Sequence, residues 1–110
     1  DASYPAYVPR DYNLSDITSG NGKIVMNFNG VNDSKFTLVE ESSSWDSNAL
    51  LSNFVKKEYG ENYTLVRENG LTIYISDNGA CWVNGGVLYK ISDQTGSLTK
   101  KQIRSIAVSL

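Results

Sequence analysis

Few residues of this chain have side chains that could do covalent or metal chemistry. The 110 residues contain no histidine and a single cysteine, Cys81. Histidine general bases, Cys-His nucleophiles and the ordinary zinc sites are therefore excluded. We expect no cofactor and no resident metal ion. Cys81 precedes Trp82 in a predicted strand, where a lone thiol is expected to be a small buried hydrophobic residue.

Carboxylates are the remaining candidates for acid–base work. Glu40 and Glu41 are neighbours in a predicted strand, so they point to opposite faces and do not form a catalytic pair by themselves. The oxygen-rich segments Asp77-Asn78-Gly79 and Asn32-Asp33-Ser34 lack the spacing of a calcium site and are typical of turns. We therefore assign no catalytic residue. A small carboxylate-dependent hydrolase stays open as an alternative that requires two acids to converge in a cleft.

Length and charge limit the organisation and the partners. Ten basic and twelve acidic residues give a net charge of -2, so we expect no nucleic-acid binding. No run approaches the roughly 18 apolar residues that span a bilayer, so membrane attachment is expected only through an anchor outside the chain. The length suits one domain over residues 1–110. Prolines at positions 5 and 9 predict an extended lead-in over residues 1–11.

Asparagine followed by glycine is the most frequent turn signal in the chain. Five of the nine glycines follow asparagine, at positions 21–22, 29–30, 69–70, 78–79 and 84–85. This dipeptide favours the type I′ turn of antiparallel hairpins. Short alternating or β-branched runs lie between these turns. They predict strands near 12–17 and at 23–28, 35–40, 63–68, 71–76, 80–83 and 87–92.

Two segments have helical spacing instead. Apolar residues recur every three or four positions over 46–59, and Gly60 suits a left-handed C-terminal cap. In the last segment Thr99 and Gln102 predict a capping box, with Leu98 stapled onto Ile103. The fold class expected is therefore α+β, a curved antiparallel sheet of six or seven strands packed by two helices.

Two-residue turns at the three C-terminal Asn-Gly pairs predict the register of this part of the sheet. Val66 then lies opposite Ile73, Ile75 opposite Trp82, and Trp82 opposite Val87. One face collects bulky side chains and is expected to be the core, covered by the helices. The other face mixes apolar and polar residues: Tyr63, Leu65, Arg67, Tyr74, Cys81, Val83, Leu88 and Lys90.

We call this second surface the mixed face. It is expected either to bind a peptide or lipid-like ligand, with Tyr63, Tyr74 and Lys90 as the candidate binding residues, or to serve as ordinary packing where the sheet curves.

Several short segments of the chain, at residues 9–12, 23–28, 69–75, 80–89 and 98–110, resemble an uncharacterised family of domains. Domains of this family lie at the extracytoplasmic end of clostridial and bacillar membrane-anchored proteins. Some of these proteins also carry an anti-sigma-type segment. The Trp-x-Asn-Gly hairpin after Cys81 and the closing helix are the most specific. The family offers no active-site residues. Its plan also resembles the sheets of lipoprotein carriers and periplasmic stress sensors, a likeness of fold only.

The resemblance implies a non-enzymatic module that recognises an unknown ligand or partner outside the cytoplasm of a Gram-positive cell. Its parent protein would be membrane-anchored, and the module would be the sensing end of an anti-sigma-type regulator. Besides the hydrolase, a structural spacer that lifts another domain from the membrane stays open as an alternative.

Overall fold

Seven strands of the chain form one antiparallel sheet in the order β1-β2-β3-β7-β6-β5-β4. The computed structural model describes residues 3–110, so residues 1 and 2 of the expected lead-in lie outside the described part. The strands are β1 Asn13–Gly20, β2 Lys23–Asn29, β3 Lys35–Ser42, β4 Thr64–Glu68, β5 Leu71–Ser76, β6 Gly79–Asn84 and β7 Val87–Ser92. A short 3-10 turn, Val31–Asp33, joins β2 to β3. The predicted α+β fold of a curved sheet with two helices is confirmed.

The hairpin register differs from the expected one at two of three turns. Val66 lies opposite Ile73 as predicted. However, Ile75 lies opposite Ala80, and Trp82 lies opposite Tyr89, so both pairings expected for Trp82 are wrong. Each error is two residues. A shift by two leaves every side chain on its predicted face, since side chains alternate with period 2.

Local backbone chemistry explains both shifts. The β6–β7 reversal uses Gly85 and Gly86, which have φ of 59° and 80°, because two glycines adopt these positive angles without the steric cost that Asn84 would bear. The β5–β6 reversal is centred on Asp77 and Asn78, and Gly79 belongs to β6. There the carbonyl oxygen of Ile91 lies within contact distance of where a Cβ of Gly79 would be. Gly79 is thus required by the close approach of β7.

The main core lies between the sheet and the C-terminal helix, Lys100–Val108. Trp82 is buried at its centre, and its indole stacks on Tyr89 with ring centroids 5.3 Å apart. The predicted capping box is confirmed, with Thr99 Oγ1 accepting from the Gln102 amide at 3.1 Å and Gln102 Oε1 accepting from the Thr99 amide at 2.8 Å. Leu98 packs against the same core.

The first helix covers the opposite face of the sheet, so the expectation that both helices cover one face is wrong. Strand order supplies the reason. β3 and β4 are consecutive in the chain but three strands, β7, β6 and β5, lie between them. The connection must cross one face of those strands. The helix in this connection packs on the mixed face and forms a second core with Leu50, Val55, Tyr74, Cys81 and Leu88.

The first helix consists of an α-helical turn Ser47–Leu50, a π-helical segment Leu51–Val55 and a last turn Lys56–Glu58. The side chain of Asp46 caps its start by accepting from the Ala49 amide at 2.8 Å. Gly60, with φ of 63°, follows its end as predicted. Within residues 3–110, neither this helix nor the C-terminal one has the length and apolarity to cross a membrane.

Residues 3–12, which we call the N-terminal strap, contain no strand or helix. Tyr7, Val8 and Tyr12 of the strap pack against the main core. The amide of Ala6 donates to the carbonyl oxygen of Ser109 at 3.2 Å, which ties the strap to the end of the C-terminal helix.

Candidate functional site

A cleft that we call the large cleft lies on the mixed face, between the first helix and the strands that the helix does not cover. Its volume is about 520 Å³. Val39 of β3 and Phe54 of the helix supply apolar surface, and Glu58, Asp77 and Lys90 are the charged residues that line it. An open cleft with apolar walls and a few polar groups is the usual form of a small-molecule or side-chain site.

Lys90 is the predicted site residue that lines this cleft. Its Nζ lies 2.9 Å from Oε1 of Glu41 and 5.4 Å from the centroid of the Phe54 ring. A smaller cleft of about 350 Å³, which includes Trp45, also contains Lys90 and Phe54. The Lys90–Phe54 contact therefore lies where the two clefts meet, and the charge of Lys90 is already balanced by Glu41.

Tyr74 lies beneath the first helix and is buried. Its hydroxyl donates to the carbonyl oxygen of Ser47 at 3.0 Å, at the start of the helix. Burial raises the pKa of this phenol above its ordinary value. Tyr74 therefore fixes the helix to the sheet, and its side chain is not exposed to a ligand in the large cleft.

Tyr63 lies beside Tyr74 and is half-buried. The two rings meet edge to face, with centroids 5.8 Å apart and planes at 76°. Tyr63 lines a different cleft, together with Lys56, Gly60 and Glu61. The three predicted residues thus share one face of the sheet, but only Lys90 lines the large cleft.

Cys81 is buried beneath the first helix, and Tyr59, which follows the end of that helix, packs against the same cluster and lines the large cleft. Burial raises the pKa of the Cys81 thiol to about 12, and the hydrogen bond with Tyr59 and the charge of Lys90 oppose this rise only in part. Burial, followed by the neighbouring Cys81, also raises the pKa of Tyr59. Both groups are therefore neutral at physiological pH, and this pair is suited to packing and hydrogen bonding rather than to nucleophilic attack.

The two neighbouring acids of β3 occupy separate environments. Glu40 and Glu41 point to opposite faces as predicted, with Glu40 buried on the main-core side and Glu41 paired with Lys90. Within residues 3–110, no group of three or more histidine, cysteine, aspartate or glutamate side chains is placed to hold a metal ion. Glu58 and Asp77 take part in no ion pair in this described range.

Of the twelve residues that line the cleft, the sequence singled out only Lys90 as a site residue, and those missed include Val39, Phe54, Glu58, Tyr59 and Asp77. Phe54 and Tyr59 stood on the apolar side of the predicted helix, which gave a signal for burial but not for the face that the helix covers. Val39 joins the site only because β3 pairs with β7, which places it opposite Lys90. Neither long-range relationship leaves a local pattern in the sequence.

Comparison with known proteins yields a family but no characterised relative. No curated protein and no solved structure matches the chain. A family model matches residues 4–110, nearly the whole chain, under the description "Domain of unknown function (DUF4367)". The chain therefore belongs to this uncharacterised domain family.

Proposed function

We propose that this domain is a non-enzymatic recognition module that binds its ligand in the large cleft on the mixed face. The observation that carries the proposal is the composition of that cleft, in which Phe54 and Val39 provide apolar surface beside the charged groups of Glu58, Asp77 and Lys90. Such a mixture supports binding and orientation of a partly apolar ligand. The high pKa of Cys81 and the absence of histidine from the sequence support a binding role over catalysis.

The charges favour a ligand with a positively charged group. Lys90 is neutralised by Glu41 at 2.9 Å, whereas Glu58 and Asp77 have no ion-pair partner among residues 3–110. The aromatic ring of Phe54 already accepts one ammonium group, that of Lys90, at 5.4 Å. A peptide with a basic side chain therefore fits better than a lipid with an anionic head group, because that head group would meet Glu58 and Asp77.

The test compares two probes of the same shape and opposite charge, 3-phenylpropylamine and 3-phenylpropionate. Each is titrated into the ¹⁵N-labelled domain, and amide shifts are followed by NMR. We expect the amine to shift the amides of Asp77, Gly79 and Ser92 with millimolar affinity, which is reasonable for so small a ligand, and the carboxylate to bind more weakly. Equal binding of both probes would contradict the charge argument.

A pair of variants locates the binding. Ser92 is exposed and lines the cleft, so Ser92→Trp should fill it and abolish the amine-induced shifts. Thr18 is exposed on the edge strand β1 and is not a cleft residue, so Thr18→Trp should leave binding unchanged. If neither probe shifts cleft amides in the wild type, the recognition proposal fails and the spacer interpretation gains support.

We also propose that the module lies outside the cytoplasm, as the sensing end of a membrane-anchored anti-sigma-type regulator of a Gram-positive cell. The support is the resemblance of the hairpin after Cys81 and of the closing helix to domains of that kind. Protease treatment of intact cells that carry the full-length gene product with an epitope tag on this domain tests the location. Loss of the tag in intact cells is expected, and protection of the tag until lysis would refute it.

A further inference from the structure

Two carboxyl groups are buried in the described part of the chain, and their surroundings differ. Asp93 is 1% exposed, and its two oxygens accept from the backbone amides of Ser97 at 3.2 Å and Leu98 at 2.9 Å. Glu40 is 4% exposed, and its Oε1 accepts from the Ser3 amide at 2.9 Å. Its Oε2 is buried without any hydrogen-bond partner among residues 3–110. Both oxygens of Asp93 thus have hydrogen-bond partners, whereas only one oxygen of Glu40 has one.

The N-terminal strap takes part in the burial of Glu40. Ser3, at the beginning of the described strap, is the residue that bonds the carboxyl group, while Ile24 of β2 and Tyr89 of β7 flank Glu40 in the sheet. Burial raises the pKa of Glu40, and the bond from Ser3 opposes the rise only in part. A charged Glu40 thus opposes the docked arrangement, since a buried charge without full compensation is costly.

The strap is held to the rest of the domain by few hydrogen bonds. Pro5 and Pro9 are buried and have no N–H to satisfy, which lets the segment lie on the core without strand pairing. The Ser3–Glu40 bond and the backbone bond from Ala6 to Ser109 fasten its first part, residues 3–6, whereas Tyr7, Val8 and Tyr12 pack on the core and Tyr12 also bonds Ser97. The first part lies outside the sheet ladder and has few bonds, so it can open without unfolding the domain.

We propose that Glu40 is a proton-operated latch for the N-terminal strap, which docks more firmly when the carboxyl is protonated and opens more often when it is ionised. Opening admits water to the carboxylate and removes its desolvation. By linkage, acidification therefore closes the strap and alkalinisation loosens it. The latch acts on the main-core side of the sheet, opposite to the ligand cleft, and does not depend on the proposed recognition function.

Several other ionisable groups lie near Glu40. Lys23 of β2 and Glu41 of β3 line the same small cleft as Glu40, and Tyr89 is its neighbour on β7. Tyr4 and Tyr7 belong to the strap. Glu41, the other carboxyl group here, is paired with Lys90 on the other face. Glu41→Gln therefore serves as the control variant for Glu40→Gln.

The test is hydrogen exchange of the Ala6 amide, measured by NMR between about pH 4.5 and 7 and expressed as a protection factor, which removes the intrinsic pH dependence of exchange. We expect protection to fall as pH rises, by up to tenfold for each unit by which docking raises the Glu40 pKa. Glu40→Gln, which stays neutral, should keep high protection at every pH. Glu41→Gln should follow the wild type.

The Leu98 amide, which is bonded to Asp93, reports on the rest of the fold and should keep its protection across this range. The titration of Glu40 itself, followed by the ¹³C shift of its carboxyl carbon, should coincide with the change at Ala6. The latch is refuted if Ala6 protection is independent of pH, if Ala6 and Leu98 lose protection together, or if Glu40→Gln retains the wild-type pH dependence.

Discussion

The Nζ of Lys90 lies 5.4 Å from the centre of the Phe54 ring, so strand β7 and the first helix meet at a cation–π contact. Lys90 also pairs with Glu41 of β3, its diagonal neighbour across the β3–β7 ladder. One ammonium group thus joins the two halves of the sheet and the helix above them. This arrangement places the helix so that an open cleft remains beside it.

The Lys90–Glu41 pair should contribute little to stability. The two side chains are 28% and 27% exposed, and partly exposed pairs are worth about 0.2 to 1 kcal/mol. A double-mutant cycle with Lys90→Met and Glu41→Gln, measured by urea unfolding, should give a coupling free energy in this range. Methionine keeps the apolar stem that packs near Phe54. A coupling above about 2 kcal/mol would show that water is excluded from the pair far more completely than its exposure indicates.

Cys81 should resist alkylation in the folded domain. A thiol pKa of about 12 instead of its ordinary value near 8.5 lowers the thiolate fraction at pH 8 by about a thousandfold, and the first helix blocks access as well. Iodoacetamide labelling followed by mass spectrometry should therefore be at least about a thousandfold slower than labelling in urea. Labelling of the native protein within tenfold of the unfolded rate would contradict the burial of Cys81 beneath the helix.

Substitution by alanine should change stability in opposite directions at two glycines whose φ values are ordinary. A Cβ at Gly79 would collide with the carbonyl oxygen of Ile91, so Gly79→Ala should cost about 1 to 3 kcal/mol of unfolding free energy. At Gly20, at the end of β1, a Cβ would have no neighbouring atom within 4 Å. Gly20→Ala should be neutral or stabilising by up to about 1 kcal/mol. If thermal and urea unfolding showed the same change in stability for Gly79→Ala as for Gly20→Ala, β6 and β7 would have to separate readily at Gly79.

Local chemistry made much of this fold predictable. The dipeptides Asn21-Gly22 and Asn69-Gly70 form the reversals that their composition favours, and Thr99 with Gln102 forms its capping box. Trp82 was placed on the correct face even though its partner was wrong, because the error was an even number of residues. Each of these signals lies within a few residues of the chain, so reading it requires no knowledge of which strands pair.

The candidate site depended on relationships that no short segment encodes. The pairing of β3 with β7 brings Val39 to Lys90, and the crossing of the first helix buries Tyr74 while leaving Lys90 at the edge of a cleft. Both follow from strand order, which an alternation of apolar and polar residues does not specify. The burial of Glu40 could not be predicted from local sequence either, since it depends on the strap, whose Ser3 is 37 residues away in the chain.

Glu40→Gln should stabilise the domain at neutral pH and lose this advantage in acid. The pKa of Glu40 is raised in the folded state. The favourable contribution of Glu40 to stability is therefore fully present below the unfolded pKa, near 4.3, and is lost as pH rises through the folded pKa. Glutamine has no charge to desolvate. Urea unfolding should therefore show the variant more stable than the wild type by about 1 to 2 kcal/mol at pH 7.5, with no advantage near pH 4.

The second buried acid supplies the contrast. Asp93→Asn replaces an oxygen that accepts a backbone amide with a donor, so it should destabilise the domain at pH 7.5 by about 1 to 3 kcal/mol. The two substitutions should therefore change the free energy of unfolding in opposite directions, although both carboxyl groups are buried. Such a result would show that hydrogen bonding, rather than burial alone, decides the sign, because only Asp93 has both oxygens bonded. If Glu40→Gln destabilised the domain at pH 7.5 as much as Asp93→Asn, then the ionised Glu40 carboxylate would have to be fully compensated, and the unpartnered Oε2 would carry no energetic cost.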